Sequence, residues 1–155
     1  MEKVLEKKII AENKKAKFDY EILDSYEAWI ELKWYEVKAI RAWNVNLKWS
    51  YVSFLGNEAV IKNMHIWFFG NSIPRNLIDP KRDRKIFLHK KTIFYLMWKS
   101  KEAWKTIIPF EIYGLWNLIK VKICLCQWRK KYNKKQLLKE RTLEKEAKIK
   151  LKKFY

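Results

Sequence analysis

Glycine is almost missing from this chain: three residues in 155, against an ordinary share of about 7%. Tryptophan, usually among the rarest residues, occurs nine times, and the two together make an ordinary glycine share. Acidic residues are also short, 17 against 35 Lys and Arg, which leaves a formal charge of +18. No stretch approaches the roughly 18 uncharged apolar residues of a transmembrane helix, which excludes one. The opening MEKVLEKKIIAENKKAK has charges every few residues and no apolar signal core, so a cytoplasmic location is expected. Cys124 and Cys126 lie two apart on one expected strand, badly placed to bridge each other, which fits a reducing compartment. Enzyme signatures are missing as well: no G-x-x-x-x-G-K-S/T phosphate loop, no G-x-S-x-G elbow, no H-E-x-x-H. No catalytic residue, cofactor or metal is therefore expected.

What is present is a foldable, strongly basic chain. It is 49% hydrophobic and 34% charged, enough to bury a core, and its length suits one domain with an extension. So large a positive charge points to a polyanion, either a nucleic acid or an anionic membrane surface.

Residues 1–8 read as a loose, charged lead-in. Strands are predicted at 18–24 and 27–33, then a helix at 35–42 with Val37, Ala39 and Ile40 turned inward. Strands follow at 45–55 and 58–66, joined by the turn pair Gly56-Asn57. Residues 67–83 read as a long irregular loop. Residues 84–90 are a strand or the entry to a helix at 92–103, with Ile93, Phe94, Leu96 and Met97 on one side. Strands at 106–113 and 118–126 complete the body, the second alternating Ile119, Val121, Ile123 and Leu125 with Lys120 and Lys122. The expected fold is mainly β, a small, partly open OB-like β-barrel over 9–126 with one or two helices. Residues 127–155 then hold 12 Lys and Arg against three Glu, without glycine or proline. In this basic C-terminal tail Leu143, Ala147, Leu151 and Phe154 fall at helical spacing. It is expected to be partly helical alone and to fold on RNA; a solvated basic helix is the plainer alternative.

Asp79 and Asp83, in DPKRDRK, are expected to order their loop through ion pairs rather than to ligate a metal. His65, His89, Cys124 and Cys126 are zinc ligands by type, but C-x-C on a strand fits zinc sites poorly, and both cysteines read as small packed hydrophobes. Basic residues interleaved with aromatics suit RNA better, gripping phosphates while stacking bases. Several tryptophans nevertheless stand where a chain wants glycine. Trp43 follows the 35–42 helix, Trp104 follows the 92–103 helix, and Trp128 marks the junction of body and tail. Helix ends call for a left-handed residue, and a bulky side chain in that conformation is strained.

IAENKKAKFDY (10–20), EVKAIRA, NVNLK and SYV (within 36–52), DPKRDRKIFLHK (79–90) and KVKI (120–123) carry a resemblance. In order, and over residues 9–141, the chain resembles the small protein B (SmpB) family, the tmRNA-binding proteins of bacterial ribosome rescue. That family carries glycine where this chain has Trp29, Trp34, Trp43, Trp98, Trp104 and Trp128. Some bacterial lineages read UGA as glycine, so the resemblance implies UGA-encoded glycines translated with the wrong table, Trp49, Trp67 and Trp116 included. It also implies an OB-type barrel that holds the elbow of tmRNA's tRNA-like domain through Glu27, Phe87, His89 and Lys120. Lys38 and Arg41 are weaker candidates, since a charged helix face needs no ligand. Phe87 and His89 suit base stacking and Lys120 a phosphate; the alternative for Phe87 is a core position. The tail is implied to enter the decoding centre and empty mRNA channel of the small ribosomal subunit. Arg129, Lys130, Tyr132, Asn133, Lys134 and Lys135 would face ribosomal RNA there. Asn133 replaces the family's aspartate and Lys135 its arginine, which removes a carboxylate acceptor, while Tyr132 keeps its capacity to stack.

The expected function is a non-enzymatic RNA-binding adaptor, a monomer without a membrane partner. It would bind tmRNA, travel with elongation factor Tu and position tmRNA on a stalled ribosome. The alternatives are a generic single-strand RNA-binding OB protein and a peripheral membrane protein anchored by residues 136–155.

Overall fold

The computed structural model describes residues 6–153, the side chains of Lys131 and Tyr132 excepted. The elements run β1 (Lys7–Glu12), α1 (Lys14–Asp19), β2 (Tyr20–Ile30), α2 (Trp34–Arg41), β3 (Val45–Asn46), β4 (Tyr51–Leu55), β5 (Glu58–Lys62) and β6 (His65–Ile66). A 3-10 turn at Arg75–Leu77 precedes β7 (Arg84–Phe87), α3 (Lys90–Lys99), β8 (Lys105–Leu115), β9 (Leu118–Trp128) and α4 (Lys131–Lys153). Seven strands make one antiparallel sheet in the order β1-β8-β9-β2-β7-β5-β4, and β3 pairs with β6 separately. The far strand β4 curls back against β8 without pairing with it. The fold is therefore mainly β and OB-like, with an open seam in place of a closed barrel. Its body holds three helices where one or two were expected.

The β8–β9 hairpin is the spine, and its alternation, shifted by a bulge in β8 between Pro109 and Glu111, builds two packed layers. Val121, Ile123 and Leu125 face the main core with Ile107 and Ile112, against Ile40, Leu47, Ile61, Met64, Ile86 and Leu96. On the opposite face Ile108, Phe110, Cys124 and Cys126 form a second cluster under Ala16 of α1, with Tyr20 packed beside it. Burial pushes the Cys124 thiol up to about 11 and the Cys126 thiol up to about 12, so both are inert packing groups. Among the described residues no group of three or more His, Cys, Asp or Glu is gathered to hold a metal.

Several boundaries differ from the sequence reading, each for a physical reason. Lys7 and Lys8, placed in the lead-in, belong to β1, an edge strand whose exposed charges carry no apolar alternation. The strands predicted at 18–24 and 27–33 are a short helix followed by one strand, β2, carried through a bulge between Ile22 and Asp24. Asn13 starts that helix: its side-chain oxygen accepts from Ala16 N at 3.1 Å, while its amide donates to Leu47 O at 3.0 Å. The predicted strand 45–55 breaks between β3 and β4, where Trp49 has φ +66°. The third helix begins at Lys90 and ends at Lys99, and Phe94 faces solvent. β9 runs on to Trp128, and α4 is one 23-residue helix.

The loop at 67–83 is riveted to α2 by a buried ionic cluster. Glu36 accepts from Arg82 Nε at 2.9 Å and from the guanidinium of Arg84. Arg84, fully buried, also donates to the carbonyls of Met64 and Pro80, the latter at 3.0 Å. Burial alone would raise the Glu36 carboxyl, but Arg82 and Arg84 override it and hold it below the usual carboxylate range. Asp79 and Asp83 contribute less. Asp79 caps Lys81 N at 3.0 Å, and Asp83 reaches Lys62 at 3.9 Å.

Candidate nucleic-acid interface

Directly opposed residues of an antiparallel ladder project to the same side, so the register defines the outer face. Trp29 of β2 pairs with Phe87 of β7 on one side and with Lys120 of β9 on the other, and Lys120 pairs with Tyr113 of β8. Two residues along, Glu27 pairs with Lys122, which pairs with Glu111. The residues between turn inward: Ala28 opposite Val121, and Ile86 beside Phe87, are buried. The structure thus brings Glu27, Phe87 and Lys120 together from three strands. Lys120 Nζ sits 3.9 Å from Glu27 Oε2 and 4.6 Å from the centre of the Trp29 ring. Phe87 is 46% exposed, which excludes a core position, and Lys85 Nζ lies 5.1 Å from its ring.

Three neighbours of this face escaped the sequence reading. Lys85 belongs to the same β7 face as Phe87, two residues along. Lys7 of β1 reaches Glu111 at 3.1 Å and covers the Tyr113 ring at 4.2 Å. The Tyr113 hydroxyl is buried with no hydrogen-bond partner among the described residues. Only the register connects these positions. The period-2 alternation at Lys120 was the available signal, but nothing in it says which strand lies alongside.

The other sequence candidates lie outside the paired strands of this row. His89 is the exposed N-cap residue of α3, on a different element from the row. Lys38 is exposed on α2 with Nζ 5.2 Å from the Trp34 ring. Arg41 donates from Nη2 to Asn117 O at 3.0 Å, pinning α2 to the β8–β9 turn.

In the tail, Lys130, Asn133 and Lys135 are exposed, while Arg129 and Lys134 bond back to the barrel. The side chain of Tyr132 lies outside the described residues. Leu143 and Leu151, on the expected apolar stripe, are both exposed. Among the described residues no helix is long and apolar enough to cross a membrane.

All nine tryptophans are at least 39% exposed, although indoles are ordinarily well buried. They do not form one platform but lie on separate strands, helices and turns. Trp43, Trp49, Trp104 and Trp116 have φ between 55° and 67°, and among the described non-glycine residues only Asn63 joins them at positive φ. Trp128, expected at such a position, instead closes β9 opposite Tyr20.

The chain thus combines an OB-like sheet, a basic and aromatic outer face and a basic helical tail. The family profile described as SmpB protein matches residues 10–153. The chain belongs to the SmpB family. An SsrA-binding protein from a Nitratiruptor species is 41% identical over 148 residues, covering 95% of this chain and 99% of the relative. The SsrA-binding protein of Malacoplasma penetrans is 42% identical over 140 residues, 90% of this chain and 95% of the relative. A solved chain from "tmRNA-SmpB: a journey to the center of the bacterial ribosome" superposes with a TM-score of 0.66 at 35% identity. That match covers 79% of this chain and 85% of the other. The SmpB relationship thus includes the tail as well as the barrel, since the family match runs to within two residues of the C-terminus.

Proposed function

We propose that this SmpB-family protein is an RNA-binding adaptor of ribosome rescue. Its outer β7-β2-β9 face binds the tRNA-like domain of tmRNA, and its basic tail occupies the decoding centre and the empty mRNA channel of a stalled ribosome. It works as a cytoplasmic monomer, delivers tmRNA with elongation factor Tu and catalyses no reaction. The names of its relatives and of the matched structure support the partners. The observation that carries the site is the row Phe87–Trp29–Lys120, an exposed aromatic ring and a lysine joined by one register line. A base stacks on the ring while the lysine takes a phosphate. Glu27 holds Lys120 in place and offers an acceptor to a base or to a 2′-hydroxyl. In a competition assay, tRNA-like RNA should displace bound probe far better than unstructured RNA of equal length. Equal competition would leave a generic single-strand binder. Lys120→Ala should reduce the log–log salt slope of binding by roughly 0.7–0.9, the loss of one phosphate contact.

We propose also that the nine tryptophans are UGA-encoded glycines in the protein as its host makes it. Four of them hold a left-handed backbone that glycine adopts without strain, and all nine are exposed. At position 29 glycine would leave bare backbone between Phe87 and Lys120, so that RNA could approach the sheet closely. Protein purified from the host should show essentially no indole fluorescence, and its mass should be lower by nine Trp-to-Gly differences. Full indole emission would end the idea.

A further inference from the structure

Tyr113 points to the outer face of β8, yet it is fully buried. It pairs with Lys120 of β9 on one side and with Ile9 of β1 on the other. Lys7 Nζ, held on Glu111 at 3.1 Å, covers its ring at 4.2 Å. Packing explains the ring but not its oxygen. A phenylalanine would fill the same place without burying a polar atom, and the Tyr113 hydroxyl has no hydrogen-bond partner among the described residues. The group beside it, short of bonding geometry, is the carboxylate of Glu27. Burial and that carboxylate push the phenol above its ordinary range. Glu27 is itself loosely held. Its side chain is 57% exposed, and among the described residues its one ion pair is with Lys120 at 3.9 Å, too long for a hydrogen bond.

RNA changes this balance. Once Lys120 turns to a phosphate, the Glu27 carboxylate loses its cation in front of an anionic backbone. The donor already facing it is the Tyr113 hydroxyl, and a hydroxyl donating to a carboxylate makes a short, strong bond. We infer that Tyr113 is the positioning residue of Glu27 in the RNA complex: its hydroxyl donates to one carboxylate oxygen, and the other is left aimed outward to accept from a hydrogen-bond donor of the RNA. This deepens the proposed function and rests on it. Phe87 then stacks a base, Lys120 takes a phosphate, and Glu27, fixed by Tyr113, reads a donor.

The test is affinity for a tRNA-like RNA in the full chain. Tyr113→Phe keeps the ring, so it should melt no lower than the parent, while affinity falls roughly tenfold with an unchanged salt slope. Glu27→Ala also loses affinity, and adding Tyr113→Phe to it costs nothing further, because the hydroxyl acts only through that carboxylate. In protein labelled at the tyrosine Cζ carbon, the Tyr113 resonance moves when RNA binds the parent and stays in place in Glu27→Ala, a response that a merely structural tyrosine would not give. RNAs with single 2′-deoxy sugars, and RNAs with single amino groups removed from a base, tell a ribose donor from a base donor. Whichever donor meets Glu27 matters less to Tyr113→Phe than to the parent. Full affinity in Tyr113→Phe, independent losses in the double variant, or equal donor penalties in the two proteins overturn the inference. Should Tyr113→Phe fail to fold, an unmoved Cζ resonance in the RNA-bound parent overturns it. If the parent itself binds tRNA-like RNA no better than unstructured RNA, the proposed function fails and this role with it; selective binding by the parent with a silent Tyr113→Phe sinks the role of Tyr113 alone.

Discussion

A tryptophan at φ +66°, as at Trp43, brings its Cβ against backbone that a glycine would leave free, at a cost of about 1–2 kcal/mol. Trp98 is the most exposed of the nine tryptophans but lies inside α3, in ordinary helical backbone. The two positions therefore respond to glycine with opposite signs. Trp43→Gly and Trp104→Gly should each raise stability by on the order of 1 kcal/mol. Trp98→Gly should lower it by roughly 0.5 kcal/mol, the difference in helix propensity between the two residues. Thermal melts of the three variants decide this, and a uniform response would mean that backbone conformation is not the cause. Phe87 offers a second test at this scale. Phe87→Ala should weaken binding of tmRNA by about 1–3 kcal/mol, the worth of one stacked base, with the salt slope unchanged because stacking releases no counterions.

Among the elements, α2 and the 67–83 loop are joined by charge as well as by the packing of Phe68 on Tyr35. Replacing Glu36 with Gln leaves two guanidiniums without their carboxylate, one of them fully buried, and should cost about 3–5 kcal/mol. The pH dependence has a definite sign. Glu36 is held below its ordinary value in the folded chain, so its contribution is fully present above the unfolded carboxylate pKa. It is lost as pH falls through the lower folded value. Urea melts from neutral to acidic pH should show a steeper acid loss in the parent than in Glu36→Gln; parallel curves would place the acid sensitivity elsewhere. The sequence spoke clearly where an element carries its own pattern. The β9 alternation and α2, with Ala39 and Ile40 inward, lie where periodicity puts them. It was silent where structure depends on distant partners. β1 is a strand only because β8, about a hundred residues away, pairs with it, and α1 is short and starts on a cap whose amide bonds to Leu47. The outer row proposed to bind RNA was half legible, since resemblance supplied Glu27, Phe87 and Lys120 but only the register adds Lys85, Tyr113 and Lys7. The buried Glu36–Arg82–Arg84 cluster left no signal, because a charge in the sequence reads as a surface residue until its partner is known.

Among the described residues, the barrel contains every core residue and α4 contains none. Neither packed cluster includes a residue beyond Cys126. Among the described residues the tail meets the barrel at Asp19, Tyr20 and Phe18, on or beside α1, and at the Trp128 ring that ends β9, away from the Phe87–Lys120 row. Deleting 129–155 should therefore leave a folded barrel that still selects tmRNA. Non-specific RNA affinity should fall, because 12 of the 35 basic residues leave with the segment. Ribosome rescue, measured as tagging of a nascent chain on a message without a stop codon, should nevertheless collapse. A scrambled tail of identical composition separates charge from arrangement. It restores the electrostatic attraction to ribosomal RNA but places other residues where Arg129 and Lys134 meet α1, and moves Tyr132 out of register. It should recover loose ribosome binding without tagging. Full tagging by the scrambled tail would reduce α4 to an electrostatic anchor and remove the decoding-centre role from the proposed mechanism.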